Sequence, residues 1–188
     1  KSCRLAENEG IKVFYGNALG DRTLQRAEPD SRKGIIALSG NEEVNFIFSQ
    51  RVKHYRKEMI ILTGIKINDE GITSKMIADT GGRIPFGRAV DIDMWSIWIR
   101  KGLTKYSSYK VGENTNIDFS DETIIGLLLP LVSIRNNSTS PIDDYFKIKS
   151  GDIITFLINT QKEEDANEWL KEKGFKSGPV ARPGLSLF

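Results

Sequence analysis

Two short polar triplets directly follow apolar runs of the sequence, and they carry its best candidate chemistry. They are Gly16, Asn17 and Ala18, after the run 11–15, and Ser39, Gly40 and Asn41, after the run 34–38. In each triplet the glycine permits close backbone approach, and the Asn carboxamide can donate and accept hydrogen bonds, for instance at a purine edge. Ser39 adds a hydroxyl group before a predicted helix, whose N-terminus suits polar or anionic groups. Ordinary turn and helix-cap chemistry is the alternative explanation for both triplets.

Catalytic and metal chemistry find little support in the sequence. It contains no G-x-G-x-x-G, G-x-x-x-x-G-K-[ST], H-E-x-x-H or C-x-x-C motif. His54, the single histidine, lies among Lys and Arg near a predicted helix end. The pairs Asp91/Asp93 and Asp143/Asp144 could act as acid and base or bind a metal, but a helix cap and a turn explain them better. We therefore predict a protein that is not an enzyme and holds no metal.

Composition excludes several classes of partner. The 188 residues include 27 Lys and Arg against 25 Asp and Glu, and this net charge of +2 provides no overall field for attracting nucleic acid. Cys3 is the only cysteine, so no disulfide can close within the chain and a reducing compartment is expected. No stretch approaches the ~20 apolar residues of a membrane span. Because the first residue is Lys1, we expect a piece of a longer protein.

Helical and strand patterns alternate over the first 86 residues. Apolar spacing and caps predict helices over 3–9, 21–27, 42–55 and 73–80, and compact β-branched runs predict strands over 11–15, 34–38, 59–63 and 83–86. Short connections between helices and buried strands imply a mostly parallel sheet with right-handed crossovers. The predicted fold class is therefore α/β, with a partial Rossmann-like, doubly wound sheet.

A strongly apolar helix is predicted over 91–103. Met94, Trp95, Ile97 and Trp98 are interrupted only by Ser96, so the helix is apolar on more than one face. One face can pack against its own sheet, and the other would be exposed as an apolar patch of the kind that marks an interface. We predict that these four residues form a dimer interface, with the two tryptophans contributing most.

The pattern changes after this helix. The polar, turn-rich segment 104–120 is the best candidate for a boundary, and strands are predicted over 127–134 and on both sides of a hinge at Gly151 and Asp152, with a helix from Glu163. We predict two domains, a partial Rossmann-like domain with its apolar helix over 1–105 and a small β-rich module over 106–188.

The order of several short motifs resembles a known family. Residues 13–18, 34–39 and 43–45 read V-F-Y-G-N-A, G-I-I-A-L-S and E-V-N. They are similar to the V-x-x-G-D-A, A-x-x-A-L-T and E-V-N segments of the RCK or KTN (TrkA-N type) nucleotide-binding domain. The segment 84–95 looks most like the branch associated with sodium/proton antiporters. Segments 129–134 and 148–154 are similar to the small TrkA-C module that often follows.

This resemblance implies a cytosolic regulator of potassium channels, potassium uptake systems or sodium/proton antiporters, without catalysis of its own. It implies that NAD or an adenine nucleotide binds at the two triplets, although the family usually has Asp in place of Asn17. It also implies a homodimer, formed by a crossover helix that packs on the partner, and a membrane-embedded transporter portion on whose cytoplasmic side the domain works.

The resemblance starts at the helix after the family's second strand. The glycines that hold pyrophosphate and the acid that binds ribose lie upstream of that point in the family. We therefore expect half of the nucleotide pocket and weak binding or none by this chain. Two other functions stay open at this point: a fragment of an NAD-dependent oxidoreductase, and a structural domain whose pocket is vestigial.

Overall fold

The computed structural model describes residues 2–55, 58–67, 71–113, 115 and 117–176. Within these ranges, the helices are α1 (Ser2–Asn8), α2 (Asp21–Ala27), α3 (Glu42–Lys53), α4 (Ser74–Asp79), α5 (Ile92–Arg100) and α6 (Glu163–Glu172). The strands are β1 (Gly34–Ala37), β2 (Ile60–Thr63), β3 (Thr104–Lys110), β4 (Leu128–Arg135), β5 (Ser138–Pro141) and β6 (Ile153–Asn159). Each predicted helix is confirmed, with ends that shift by a few residues.

β1 and β2 form a parallel sheet joined through α3. Four residue pairs make the ladder, from Gly34 opposite Ile60 to Ala37 opposite Thr63. Arg83 extends this sheet by a single parallel bridge to Leu62, and its carbonyl accepts a hydrogen bond of 2.8 Å from the Thr63 N–H. The predicted α/β class is confirmed, with a parallel sheet in the first part of the chain and a separate antiparallel sheet in the second.

The predicted strand over 11–15 is wrong. These residues form no ladder, and Ile11 and Tyr15 are 55% and 91% exposed. An extended segment becomes a strand only when a neighbour accepts its backbone hydrogen bonds, and β1 is paired on one side, by β2. The Phe14 ring instead lies between two cations, 5.0 Å from Lys12 Nζ and 5.2 Å from Arg26 Cζ. The segment 83–86, also predicted as a strand or extended, makes isolated bridges.

α2 and α3 cover one face of the parallel sheet. The apolar residues of the two helices share one face, so that Leu24 and Val52 are buried against Met59 and Ile61. The amphipathic pattern of α3 therefore predicted this helix correctly. The opposite face is less covered, since Ile36 of β1 is 49% exposed.

The second part of the chain is an antiparallel sheet with the strand order β3-β6-β4-β5. β6 lies inside the sheet and is buried along almost its whole length. β4 and β5 form a hairpin in which Arg135 pairs with Ser138, and both connecting residues, Asn136 and Asn137, have positive φ. Two left-handed residues define the type I′ turn that suits the twist of a two-residue hairpin.

Three local predictions in this part are wrong. Residues 104–110, expected in a polar boundary, form β3, and 138–141, where no strand was predicted, form β5. Residues 146–149, expected to be a strand, are not in one. Both missed strands lie at the edges of the sheet, where polar residues are normal and the pairing comes from the apolar neighbour. The domain division at 105 stays a prediction, and β3 crosses that position.

Two helices pack on opposite faces of the antiparallel sheet. Ala166, Trp169 and Leu170 of α6 belong to its main core, as the predicted face of that helix required. On the other face, Trp95 of α5 packs with Leu129 and Leu157. α5 therefore joins the parallel part of the chain to the antiparallel part. None of the helices in the described ranges is long and apolar enough to cross a membrane.

A buried ion pair fixes the end of β4 to the start of β6. Arg135 Nε and Nη2 donate to the two carboxylate oxygens of Asp152 at 2.7 and 2.6 Å. The Asp152 side chain is 1% exposed and also accepts from the Lys149 N–H. A buried carboxylate with this many donors is costly to neutralise, because its partners then lose their acceptor.

We expect Asp152→Asn to lower the free energy of unfolding by about 2 kcal/mol, since the half-exposed Arg135 can recover part of its solvation. Urea unfolding followed by circular dichroism measures this change. Glu168→Gln, on the exposed face of α6, removes the same charge and should leave the stability within about 0.5 kcal/mol. Equal effects of the two variants would contradict the structural role of this ion pair.

Candidate functional site

The carboxyl ends of β1 and β2 meet the amino end of α3. Open α/β sheets bind ligands at this edge, where helix N-termini and strand ends leave backbone groups available. Ser39, Gly40 and Asn41 connect β1 to α3, and Gly64 follows β2. The second predicted triplet therefore lies at the expected edge.

Asn45, in the second turn of α3, ties the two strand ends together. Its Oδ1 accepts hydrogen bonds from the Ser39 N–H at 2.8 Å and the Ser39 hydroxyl at 2.7 Å. Its Nδ2 donates to the carbonyls of Ser39 and Gly64, each at 2.9 Å. The residue is 2% exposed, so all four contacts replace water. This carboxamide fixes the shape of the loop that carries the candidate ligand residues.

A second layer of buried polar groups supports this arrangement. The Ser49 hydroxyl lies 2.9 Å from the Asn45 carbonyl and 2.7 Å from Thr63 Oγ1. The carboxylate of Glu42, itself 4% exposed, accepts from the backbone N–H groups of Lys66 at 2.8 Å and Ile72 at 3.4 Å. α3 thus holds the loop after β2 as well as the loop after β1.

Asn41 is the N-cap of α3, since its Oδ1 accepts from the Val44 N–H at 2.8 Å. Its own N–H donates to Ser39 Oγ at 3.3 Å. Cap and turn contacts are thus present at this triplet. They occupy the Asn41 oxygen and the Ser39 hydroxyl.

The first triplet is placed differently. Gly16, Asn17 and Ala18 are exposed in a loop before α2. Asn17 Oδ1 accepts from the Leu19 N–H at 2.9 Å, and its carbonyl accepts from the Gly20 N–H at 2.9 Å. These are the contacts of an ordinary turn. Because 11–15 is not a strand, no ladder directs this triplet to the sheet edge, and its role in binding stays a prediction.

The first turn of α5 lies over the glycines at both strand ends. A Cβ atom placed on Gly40 would lie 2.7 Å from Oδ2 and 2.8 Å from Cγ of Asp93, and one placed on Gly64 would lie 2.7 Å from Ile92 Cδ1. The Val90 N–H donates to the Ile65 carbonyl at 3.2 Å, which anchors the segment before the helix. A side chain at either glycine would have to displace the end of a side chain of α5.

A cavity of about 350 Å³ opens beside Asp93. It is lined by Lys66, Ile67, Asp91, Asp93, Met94 and Ile125. Asp91 caps α5 as the sequence predicted, because its Oδ1 accepts from the Met94 N–H at 2.8 Å. The cavity therefore has polar side chains of both charges, Lys66 opposite Asp91 and Asp93, beside apolar ones.

A larger cleft of about 550 Å³, lined in part by Asp118, Asp143 and Asp144, has a structural explanation instead. Asp143 pairs with Arg83 at 2.9 Å, and Asp144 Oδ1 accepts from the Ile84 N–H at 2.9 Å. Burial and then the neighbouring Asp143 raise the pKa of Asp144, although the bond from Ile84 opposes them. These carboxylates attach the 83–86 segment to the antiparallel part.

The four predicted interface residues do not share one environment. Trp95 is 5% exposed and contacts Trp98 edge to face, with ring centroids 5.0 Å apart. Met94 and Trp98 are partly buried, whereas Ile97 is 42% exposed. The tryptophans thus pack mostly within their own chain, and the outer face of the helix is the surface left for a partner. The dimer interface stays a prediction.

Three residues of the site were not singled out as ligand residues by the sequence. Gly64 directly follows the buried strand β2, so a signal similar to that of Gly40 was available. Asn45 lies four residues after the N-cap Asn41, on the buried face of α3. A polar side chain on a buried face needs a hydrogen-bond partner inside the protein, and this was the available signal. Asp91 and Asp93 were alternative predictions for the cap of α5, of which Asp91 is the cap, and nothing local predicts the contact of Asp93 with Gly40.

We expect Asn45→Ala to lower the free energy of unfolding by about 2 to 4 kcal/mol, because the Ser39 N–H and the Gly64 carbonyl would lose buried partners. Thermal and urea unfolding followed by circular dichroism test this. Gln50→Ala, at an exposed position of the same helix, controls for the effect on helix formation. A loss no greater than that of Gln50→Ala would show that the carboxamide does not hold the two strands.

Comparison with known proteins found one family match. The family model described as TrkA-N domain matches residues 1–80. No curated protein matches the chain. Among solved structures, the chain is similar to the crystal structure of the GsuK RCK domain, to the GsuK channel bound to NAD, and to the GsuK channel.

Each of these three likenesses has 11% identity and a TM-score of 0.35 over 86% of this chain. The chain spans 38% of the length of the first structure and 31% of the other two. The family match covers residues 1–80, which are less than half of the chain, and it agrees with the motif order and with the parallel β-α-β unit. It supports a domain of the RCK/TrkA-N type over these residues.

Proposed function

We propose that this chain is the ligand-sensing part of a regulatory domain of a cation-transport protein, and that it binds a nucleotide without catalysis of its own. The TrkA-N match over residues 1–80 supports the regulatory role. The nucleotide, NAD or an adenine nucleotide, would lie at the carboxyl end of β1 and β2, on Ser39, Gly40 and Asn41, with Gly16, Asn17 and Ala18 as the second predicted contact. No metal is part of the proposal.

One observation carries the proposal: α5 contacts both the carboxyl ends of β1 and β2 and the antiparallel sheet. Its first turn lies on Gly40 and Gly64, and its middle packs with Leu129 and Leu157. A ligand at Gly40 and the position of α5 are therefore linked sterically. A sensor needs such an element, because a ligand shifts an equilibrium only through contacts that differ between two states.

The hydrogen bonds of the polar groups at the carboxyl ends of β1 and β2 favour a binding function over an oxidoreductase reaction. The hydroxyl of Ser39 and the carboxamide of Asn45 are committed to each other, and the Asn41 oxygen caps α3. Groups held in this way shape a surface but do not supply a free acid or base. A nicotinamide ring would have no proton-transfer partner among them.

The finer parts of the proposal come from the family resemblance. The domain would belong to a protein of the antiporter-associated branch, and residues 106–188 would form a TrkA-C module. The chain would form a homodimer through α5. It would regulate a membrane-embedded transporter portion and would lie on the cytoplasmic side of the cell membrane. α5 is the element through which the ligand would act on such an interface.

Weak nucleotide binding at the sheet edge tests the proposal. We expect NAD and ATP to bind the purified chain with a dissociation constant no tighter than high micromolar, because few phosphate-binding groups are present. In amide NMR spectra, millimolar ligand should shift residues 39–41 and 64–66 and leave the hairpin at 136–137 unchanged. Shifts confined to the antiparallel sheet, or nanomolar affinity by calorimetry, would show that the pocket lies elsewhere.

The exposed face of α5 provides the test of dimerisation. We expect the chain to be a dimer at tens of micromolar and Ile97→Glu to make it monomeric, because a charge in an apolar interface must be desolvated. Sedimentation measures the state, and circular dichroism checks the fold. Ile47→Glu alters an apolar residue of α3 with nearly the same exposure, 43% against 42%, and should leave the dimer intact. A chain that is monomeric at high micromolar concentration excludes this interface.

A further inference from the structure

An apolar cavity of about 400 Å³ opens between α5 and the two sheets. Trp95, Leu129 and Leu157 are among its most buried lining residues, at 3% to 6% exposure, and they form its floor. Leu38 and Ile99, which are 41% and 48% exposed, lie at its rim. Water in such a cavity finds few polar partners, so its replacement by an apolar group is favourable. The cavity is therefore a candidate binding site for an apolar ligand.

A single cation lines this cavity. Arg100, in the last turn of α5, is the one charged residue among the described residues of the lining. Its Nη1 donates to Ser96 Oγ at 2.9 Å, and Ser96 also lines the cavity, so this bond holds the guanidinium beside it. A guanidinium has five N–H donors and can pair with a carboxylate through two of them. The bond to Ser96 leaves donors for such an anion.

The wall at Phe86 is fixed by its backbone. Its φ is 66°, which an aromatic residue rarely adopts, and its N–H donates to the Ile142 carbonyl at 2.7 Å. Phe86 lines the cavity and packs in the same cluster as Trp95 and Leu131. A strained backbone of this kind persists where surrounding contacts impose it, and it is frequent at ligand sites. The cavity is thus formed before any ligand enters.

The size and chemistry of the cavity indicate the kind of occupant. A stable contact with a second protein covers about 800 Å² on each side, which is a surface rather than a cavity. Small-molecule sites enclose about 300–1,000 Å³, and this volume lies in that range. A nucleotide needs many polar partners for its base and phosphates, and this lining is mainly apolar. An apolar chain with one anionic end matches both the lining and its single cation.

We propose that this cavity binds a medium-chain fatty acid, with its alkyl chain on Trp95, Leu129 and Leu157 and its carboxylate paired with Arg100. The site is separate from the one proposed for a nucleotide, and the inference does not depend on nucleotide binding. The alkyl chain would contact α5, the antiparallel sheet and Leu38, which follows β1. By filling the space between them, it would hold α5 against both sheets.

Amide NMR titration of the 188-residue chain with millimolar octanoate, below the concentration at which it forms micelles, tests the proposal. We expect shifts at residues 95–100, 129–131 and 157, and none at the hairpin turn 136–137. Hexanoate should bind about fifteenfold more weakly, because each buried methylene changes the affinity about fourfold. Octanoate shifts that are absent from 95–100, or that spread evenly over the surface, would show that the cavity does not take an alkyl chain.

The carboxylate contact is tested with 1-octanol, which has the same chain without the charge. Arg100→Gln should weaken octanoate binding about tenfold, the usual loss for a hydrogen bond between charged groups, and leave 1-octanol binding unchanged. Lys101→Gln removes the neighbouring charge at the C-cap of α5, outside the cavity lining, and should leave both ligands unaffected. Ser96→Leu should weaken both ligands, because the larger side chain occupies part of the cavity.

The remaining outcomes decide against the inference. An equal loss for both ligands in Arg100→Gln, or no loss for either, would overturn the pairing of the carboxylate with Arg100. Octanoate binding that appears only in the Ile97→Glu variant would show that a second copy of the chain covers the cavity. The nucleotide titration at residues 39–41 tests the proposed function separately, so either proposal can fail alone. Circular dichroism of each variant checks that a changed affinity does not come from unfolding.

Discussion

The carboxamide of Asn45 is the contact on which the sheet edge depends. A two-stranded parallel sheet has few hydrogen bonds of its own, here a ladder of four residue pairs. Asn45 adds bonds to Ser39 and Gly64, one at the end of each strand, from a single side chain that is almost fully buried. Without them the two loops would be free to separate, since the carbonyls they place inside the protein would need water. The geometry of the loop at residues 39–41 depends on this one residue.

α5 is the second element that gives the molecule its form. Its sequence has few polar residues because its first turn and one face are in contact with other parts of the chain. The first turn meets the parallel sheet at two glycines, and Trp95 enters the core of the antiparallel sheet. A helix with contacts on two sheets cannot move on one without moving on the other. This coupling is structural and exists whether or not a ligand is bound.

The sequence predicted helices better than strands, because a strand is stabilised by hydrogen bonds to a neighbouring strand that its own residues do not reveal. α3 and α6 show their buried faces in their own spacing, so local residues were sufficient. β3 and β5 are polar edge strands that exist because β6 and β4 offer them hydrogen bonds, and this cannot be seen in residues 104–110 or 138–141 alone. The reverse error occurred at 11–15, where a good strand sequence has no partner to pair with.

Part of the site was predictable for a similar reason. Ser39–Asn41 lies where a loop after a buried strand must lie, but the group that approaches the glycine there is the side chain of Asp93. The contact of Asp93 with Gly40 joins residues 53 positions apart in the chain. It depends on how α5 crosses the sheet, which is a tertiary property without a local signal.

The edge-to-face tryptophan pair has an optical consequence. Trp95 and Trp98 are two of the three tryptophans in the chain, and their rings meet at an angle of 83°. The indole of the third, Trp169, donates to Thr123 Oγ1 at 3.1 Å on the other side of the antiparallel sheet. Two of the three intrinsic fluorophores thus belong to α5, close enough for their electronic transitions to interact. The molecule contains its own spectroscopic probe of the helix that links its two sheets, and no label has to be attached to follow it.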